Sequence, residues 1–393
     1  MELNEILQVA LRGGASDIHL KAGLPPMFRV DGQLVPLKDA RRLPPEEIAR
    51  MSFGIMNDYQ KEKFKQTNEI DLAYGVPGLG RFRVNIFQQR GCYSIVLRRL
   101  AGEIPTVEQM GLPAVLHKMA QERNGLLLVT GATGSGKSTT LATMLNVINE
   151  EKAVHVVTLE DPVEFVHPQK KATFNQRELG TDFDTFASGL RAALRQAPKV
   201  ILVGEMRDRE TLEIGLSAAE TGHLVLSTLH TVDAGQTVNR MLGMFDKDEE
   251  RQIRQRLADT LRWVVCQRLL PKLSGGRVAA LEIMGMNLRI EEVILNGEAE
   301  GKTFYDIIQD SEALGMQTFD THILRLFQQG LITEETALSY ASRRTVLARG
   351  LDQVKATKGE KTSDIEGLAL DADYKKQVAQ PGRPPRPAPP PKR

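Results

Sequence analysis

The hydrophobic pattern of the first hundred residues combines one helical segment with several strand-like segments. Apolar side chains recur at helical spacing over residues 6–11. Asp31-Gly32 lies between two short apolar runs, and this dipeptide is a strong signal for a tight hairpin turn. Four segments have the length and apolar character of strands: residues 18–20, 27–30, 81–87 and 93–98. The pattern predicts a small α+β domain over residues 1–100.

The next part of the chain alternates short apolar runs with helical segments. The apolar runs are residues 126–129, 154–159, 200–203 and 224–229. Such alternation is typical of a mostly parallel sheet covered by helices on both faces. Residues 101–113 carry glycine and two prolines and are expected to be an interdomain linker. The predicted fold class is therefore α/β, with a second domain over residues 114–345.

Helical spacing dominates the prediction for the C-terminal part. From about residue 245 to residue 342 the chain is expected to be helical, with Gly330 ending one helix and Thr333 beginning the next. One apolar helix face consists of Phe319, Ile323, Leu326 and Phe327. The chain then becomes charged and finally rich in proline, so residues 346–393 are expected to be a disordered tail. A docking role is the alternative to a solvated tail.

Composition and charge argue against several classes of protein. The chain of 393 residues has 51 basic and 50 acidic side chains, so its net charge of +1 does not favour a nucleic-acid partner. The spacing of Cys92 and Cys266 fits neither a disulfide framework nor a zinc module, which favours the cytoplasm. The acidic start is not typical of a signal peptide, and no apolar run approaches the roughly 20 residues of a membrane span. Membrane association is therefore expected to be peripheral only, through a protein partner or a surface patch.

Residues 131–139 read Gly-Ala-Thr-Gly-Ser-Gly-Lys-Ser-Thr and match a P-loop between an apolar run and a helical segment. Glycines in this pattern permit positive φ and close backbone approach, and N–H groups at the helix start bind phosphate oxygens. Lys137 is expected to bind the β- and γ-phosphates, and Ser138 is expected to be a ligand of Mg²⁺. The complete match disfavours a simple glycine-rich turn. The candidate ATP-binding residues are Thr133, Gly134, Ser135, Gly136, Lys137, Ser138 and Thr139.

Acidic residues follow the next two apolar runs. Ligands of parallel sheets lie at the carboxyl ends of strands, so these residues are candidates for the same site. Residues 160–164 contain three carboxylates that could polarise a water molecule or hold Mg²⁺, with an acidic turn as the alternative. The following run closes on Glu205, as in a Walker B strand that holds Mg²⁺ through water, and Asp208 could assist.

The remaining candidate functional residues are histidines and arginines. His223 and His230 bracket the last apolar run and, on a continuous strand, lie about 20 Å apart. His230 is then at the carboxyl end, near a γ-phosphate, whereas His223 is expected to be structural or at an interface. Arg83 and Arg98 lie on a sheet face that is either solvated or used for phosphate, which the donor fork of arginine suits.

Four ordered motifs resemble those of the secretion-type ATPases, and in particular those of the type IV pilus retraction ATPases, the PilT/PilU family. These motifs are the P-loop, the acidic box at residues 159–165, the Val-Gly-Glu-Met-Arg-Asp segment at 203–208 and the histidine box at 219–231. Further similar segments extend the resemblance from residue 15 to residue 320. It implies a PAS-like N-terminal domain and a RecA-like P-loop ATPase domain with a helical C-terminal part.

The resemblance also implies roles for individual residues and for the whole protein. Glu164 is the glutamate that activates water, and Glu205 is the atypical Walker B glutamate. Arg83 and Arg98 reach a nucleotide across the ring, and His230 belongs to the histidine box. The protein is then expected to be a homohexamer that couples ATP hydrolysis to pilus retraction, pilin disassembly and twitching motility. Its expected partners are an inner-membrane pilus platform protein and, as a further candidate, a paralogous retraction ATPase.

Two departures from the motifs of the retraction ATPases leave open whether this chain is a primary or an accessory motor. Residues 289–296 read Arg-Ile-Glu-Glu-Val-Ile-Leu-Asn and lack both arginines of the retraction motif Ala-Ile-Arg-Asn-Leu-Ile-Arg-Glu. Residues 195–198 also resemble the accessory branch. A PilU-like accessory motor, an ATPase for type II or type IV secretion or DNA uptake, and a nucleotide-binding regulatory scaffold stay as alternatives. The missing four-cysteine zinc module disfavours the secretion alternative, and a small-molecule kinase fits less well than any of these.

Overall fold

The computed structural model describes residues 1–100 and 102–357. The first range forms one domain with the elements α1 (Leu3–Arg12), β1 (Asp17–Lys21), β2 (Met27–Val30), β3 (Gln33–Pro36), α2 (Pro45–Ile55), α3 (Asp58–Thr67), β4 (Glu69–Val76), β5 (Gly80–Gln89) and β6 (Cys92–Arg99). Its strands form an antiparallel sheet of order β3-β2-β1-β6-β5-β4. The α+β character predicted for this part is confirmed.

The local predictions for the N-terminal sheet are also confirmed. Asp31 and Gly32, with φ of 47° and 82°, form the two-residue turn between β2 and β3. Arg83 on β5 pairs with Arg98 on β6, so the two arginines share one face of the sheet. The opposite face carries the fully buried side chains of Phe82, Val84 and Ile86. Alternation along β5 therefore separates the core of the domain from an arginine-bearing face.

The second range contains a seven-stranded sheet surrounded by helices. Its first elements are α4 (Val115–Ala120), β7 (Gly125–Thr130), α5 (Lys137–Glu151), β8 (His155–Glu160), β9 (Thr173–Glu178), α6 (Phe186–Ala193), β10 (Val200–Val203), α7 (Arg209–Glu220) and β11 (Leu224–Leu229). They are followed by α8 (Ala234–Leu242), α9 (Glu250–Thr260), β12 (Leu261–Pro271), β13 (Arg277–Gly285), α10 (Leu288–Asn296), α11 (Phe304–Asp310), α12 (Phe319–Gln328), α13 (Glu334–Tyr340) and α14 (Arg344–Thr357).

The strand order of this sheet is β13-β12-β7-β11-β10-β8-β9. All neighbouring strands from β12 to β9 are parallel, and β13 is an antiparallel edge strand. Along β7, Leu126 and Leu128 belong to one buried cluster, whereas Leu127 and Val129 belong to another. The sheet is thus covered on both faces, as the alternating pattern predicted.

The prediction that residues 245–342 are helical is wrong for β12 and β13. The strand β12 lies beside the P-loop strand β7, and Val264 and Val265 are fully buried there on opposite faces of the sheet. A continuous apolar run has the same pattern whether it is a buried strand or a buried helix, so spacing alone could not separate the two. Within the two described ranges, no helix is both long and apolar enough to cross a bilayer.

The helix α14 extends to Thr357, beyond residue 346 at which we expected the tail to begin. Leu347 and Leu351 are buried on this helix and belong to the core of the second domain. Their contact with the core explains why the chain stays helical past the predicted boundary. The proline-rich remainder of the predicted tail lies outside the described residues.

Candidate nucleotide-binding site

The P-loop joins the end of β7 to the start of α5 and needs its glycines for two reasons. Gly131, Gly134 and Gly136 have φ of 142°, 80° and 92°, which other residues rarely adopt. A Cβ on Gly131 would lie 2.4 Å from the backbone oxygen of Gln267, and a Cβ on Gly136 would lie 2.7 Å from the Gln267 Nε2 atom. The loop conformation predicted from the motif is therefore imposed by packing against β12 as well as by backbone preference.

Lys137 is the first residue of α5 and closes the loop on itself. Its Nζ donates to the carbonyl oxygens of Gly131 at 2.9 Å and Ala132 at 3.1 Å. Burial lowers the pKa of the Lys137 ammonium, while the carboxylates of Glu205 and Glu164 oppose this shift. The ammonium is held at the helix start, where the N–H groups of the helix also favour an anion.

A cavity of about 360 Å³ lies at the carboxyl ends of the parallel strands, beside the P-loop. Thr133, Gly134, Lys137 and Ser138 line it from the loop and from α5. From the neighbouring strand ends it is lined by Glu160, Asp161, Glu164, Glu205, Arg207 and His230. The candidates taken from separate motifs thus converge at one place, as expected for a parallel sheet.

Two carboxylates of the acidic box have different surroundings. Glu160 Oε1 accepts hydrogen bonds from Thr158 Oγ1 at 2.6 Å and from Gln176 Nε2 at 3.2 Å. Burial raises the pKa of the Glu160 carboxyl to about 7. Glu164 lies on the wall of the same cavity and is partly exposed to it. A carboxylate with access to the cavity is the better candidate for accepting a proton from a bound water molecule.

Glu205 follows β10 and is paired with two basic side chains. Its Oε2 lies 2.7 Å from Arg207 Nη2 and 3.3 Å from His230 Nε2. Burial opposes ionisation, but Arg207 and His230 lower the pKa of the Glu205 carboxyl below its usual value. Asp208, the other candidate near this strand end, caps α7 and accepts from Thr211 N at 2.8 Å. Glu205 is therefore the ionised group at the end of this strand.

Ser138 and Glu205 both line the cavity and form a donor set that suits Mg²⁺. A hydroxyl and a carboxylate are hard oxygen ligands, and Mg²⁺ in nucleotide sites is held by one or two protein groups together with phosphate and water. The residues present therefore fit the metal that the P-loop motif implies.

The remaining candidates divide between the cavity and other places. Arg83 lines the cavity of its own chain. Arg98 lies elsewhere, and its Nε donates to Asp17 Oδ1 at 2.8 Å within the N-terminal domain. His223 Nδ1 contacts the carbonyl oxygen of Ala218 at 2.9 Å and is satisfied locally, at the opposite end of β11 from His230.

One residue at the P-loop was missed by the motif search. Gln267 on β12 is buried, and its Oε1 accepts from Thr140 Oγ1 on α5 at 2.7 Å. It lies far from the P-loop in sequence, in a segment predicted to be helical. Only recognition of β12 as the neighbour of β7 could have placed it at this loop.

The comparisons with known proteins agree with the motifs. The profile of the Type II/IV secretion system protein family matches residues 1–320. The type IV pilus retractation ATPase PilT of Pseudomonas aeruginosa is 45% identical over 342 residues, which are 86% of this chain and 97% of PilT. The type IV pilus ATPase PilU of the same organism is 37% identical over 373 residues, which are 94% of this chain and 97% of PilU.

A solved structure described as the pilus retraction motor PilT with bound ADP is similar to this chain, with a TM-score of 0.82 and 43% identity. The match covers 89% of this chain and 99% of that structure. It therefore includes both domains and the cavity that the motif residues line. The chain therefore belongs to the type II/IV secretion system protein family, within its PilT/PilU branch.

Proposed function

We propose that this protein is a motor ATPase that hydrolyses ATP with Mg²⁺ and drives type IV pilus retraction, with pilin disassembly and twitching motility as the result. The observation that carries the proposal is the meeting of the P-loop, Glu164, Glu205 and His230 at one cavity. It occurs in a chain that is 45% identical to a pilus retraction ATPase over 97% of that protein.

The chemistry is assigned to the residues of the cavity. Backbone N–H groups of residues 133–139 and the Lys137 ammonium bind the phosphates, while Ser138 and Glu205 hold Mg²⁺, which neutralises phosphate charge when bound. Glu164 orients a water molecule and accepts its proton. Catalysis of this type relies on positioning and on neutralisation of charge rather than on covalent chemistry.

Arginines of the N-terminal domain are proposed to contact the γ-phosphate across a subunit interface. Arg83 and Arg98 share one sheet face, which supports their acting together. Arg83 also lines the cavity of its own chain, so it has a second way to reach the phosphate. Mixing Arg83→Ala subunits with Lys137→Ala subunits distinguishes these routes, because activity returns in mixed rings only if Arg83 acts in trans.

The assembly and partners complete the proposal. The protein is proposed to be a homohexamer in the cytoplasm, with a PAS-like N-terminal domain and a RecA-like ATPase domain in each subunit. It is proposed to act at an inner-membrane pilus platform protein and to lie peripherally at that membrane. Closure of the N-terminal domain against the ATPase domain of the next subunit is the step that produces force.

An accessory motor is the second candidate. It is favoured by the helix α10 (Leu288–Asn296), which lacks both arginines of the retraction motif, and by the longer match to PilU than to PilT. A test is to express the protein in strains without a primary or without an accessory retraction motor. Restored twitching in the former supports a primary motor, and restoration in the latter alone supports an accessory one.

The ring mechanism itself is tested by measuring steady-state ATPase activity against protein concentration, with light scattering on the same samples. A specific activity that rises as hexamers form supports a shared site. Equal activity in monomers, or none in hexamers, would overturn it and favour a regulatory scaffold.

A further inference from the structure

Glu178 joins the two domains at a point that no motif marked. It is the last residue of β9, and it is 8% exposed. Its Oε1 accepts from the backbone N–H of Ala73 on β4 at 3.3 Å, and its Oε2 accepts from Arg81 Nη2 on β5 at 3.1 Å. Both partners belong to the N-terminal domain, so the carboxylate lies at the boundary between the domains.

The Glu178 carboxylate also accepts a hydrogen bond from the backbone of the acidic box. Glu178 Oε2 accepts from the backbone N–H of Val163 at 3.2 Å. Val163 immediately precedes Glu164, so the oxygen that binds Arg81 also holds the backbone of the loop that carries Glu164. We propose that Glu178 is a positioning residue that couples the docking of the N-terminal domain to the placement of Glu164 in the cavity. This inference rests on the role proposed above for Glu164.

The coupling has a physical basis in the cost of a buried carboxylate that loses its donors. Charged hydrogen bonds contribute more than neutral ones, and an unpaired buried charge is strongly unfavourable. When the N-terminal domain moves away, Arg81 and Ala73 are withdrawn and Glu178 keeps only the Val163 bond. The carboxylate is then driven toward solvent, and the backbone at Val163 moves with it.

Electrostatics around Glu178 agree with this account. Burial raises the pKa of the Glu178 carboxyl, while the Val163 N–H, Arg81 and the Ala73 N–H favour its charged form. Asp182 adds a nearby like charge. The charged state of Glu178 therefore depends on donors from both domains at once.

A second contact across the same boundary provides a matched control. Gln60 Nε2 donates to Thr181 Oγ1 at 3.4 Å, and this hydrogen bond involves no residue of the acidic box. Thr181→Val removes this contact between the domains while leaving the Glu178 carboxylate with its three donors. A loss of activity that reflects only weaker docking would appear in this variant as well.

The experiment measures kcat and KM for ATP on the full-length protein, with assembly followed by light scattering. Glu178→Gln is expected to lower kcat about tenfold or more with KM within about twofold of wild type, because the neutral amide cannot form an ion pair with Arg81 and its NH2 group faces the N–H of Ala73. Arg81→Met is expected to do the same, and the double variant to be no worse than Glu178→Gln. Arg81→Lys should restore part of the kcat, and Thr181→Val should behave as wild type.

Glu164→Gln separates this inference from the proposed function. If Glu164→Gln is inactive while Glu178→Gln and Arg81→Met keep wild-type kcat, the coupling is overturned and the proposed site stands. If Glu164→Gln keeps normal turnover, the proposed role of Glu164 fails, and the coupling fails with it. Should Glu178→Gln not fold, Arg81→Met decides alone, because it leaves both backbone bonds of Glu178 in place.

Discussion

The substitution Glu160→Gln is expected to stabilise the protein at alkaline pH. The Glu160 carboxyl lies on the wall of the cavity, and burial raises its pKa from 4.5 to about 7. Both side-chain hydrogen bonds that it accepts end on Oε1, so an amide oxygen can accept them equally. The variant therefore removes a buried charge and keeps the hydrogen bonds from Thr158 and Gln176.

The sign and size of the effect follow from the pKa. A carboxyl whose pKa is higher in the folded state opposes folding as it ionises, so its penalty is absent well below pH 4.5, grows up to about pH 7, and is constant above. The shift corresponds to about 3 kcal/mol at most. Because Glu160 lines an open cavity that admits water, we expect about 2 kcal/mol at pH 8.

The assay is thermal unfolding without nucleotide and with a chelator, at pH 5 and pH 8. A gain of about 2 kcal/mol corresponds to a rise in Tm of roughly 4–8 °C for a domain of this size. Most of this rise should vanish at pH 5. The exposed Asp161, on the same loop, gives the matched control Asp161→Asn, which is expected to change Tm little at either pH. An unchanged or lower Tm for Glu160→Gln at pH 8, or a rise of equal size at pH 5, would show that ionised Glu160 does not destabilise the fold.

Three further predictions concern turnover. Lys137→Ala is expected to abolish ATP binding or turnover, which equilibrium binding and a phosphate-release assay will separate; wild-type kcat would contradict the assigned P-loop role. Glu164→Gln should bind ATP with near-normal affinity and lose at least about 10²-fold in kcat, so near-normal turnover would exclude it as the base. Arg83→Ala should impair turnover in the assembled ring, and wild-type turnover in assembled rings of this variant would remove its proposed role.

The N-terminal sheet and the P-loop show where sequence reasoning works. Alternation along β5 predicted which side chains are buried, because a strand with one covered face must place every second residue in the core. Asp31-Gly32 predicted its hairpin because few residues accept the positive φ that the turn requires. The P-loop was predicted for the same reason, since three glycines with positive φ lie between a strand and a helix.

Other residues could not be assigned from local pattern. Nothing near Arg98 in sequence indicated that Asp17 would accept its guanidinium, because the two lie on neighbouring strands joined only through the sheet. Gln267 was likewise placed at the P-loop by the pairing of β12 with β7.

The α/β fold class, the P-loop and the carboxylates that close the parallel strands could all be predicted from the amino-acid sequence. These features depend on backbone preferences and on spacing within one segment, which are readable without the rest of the chain. Tertiary structure alone decided that β12 and β13 are strands and that Glu178 binds Val163 and Arg81 together. Such contacts join segments that are distant in the chain, and their energy depends on burial, which the sheet creates only after it has formed.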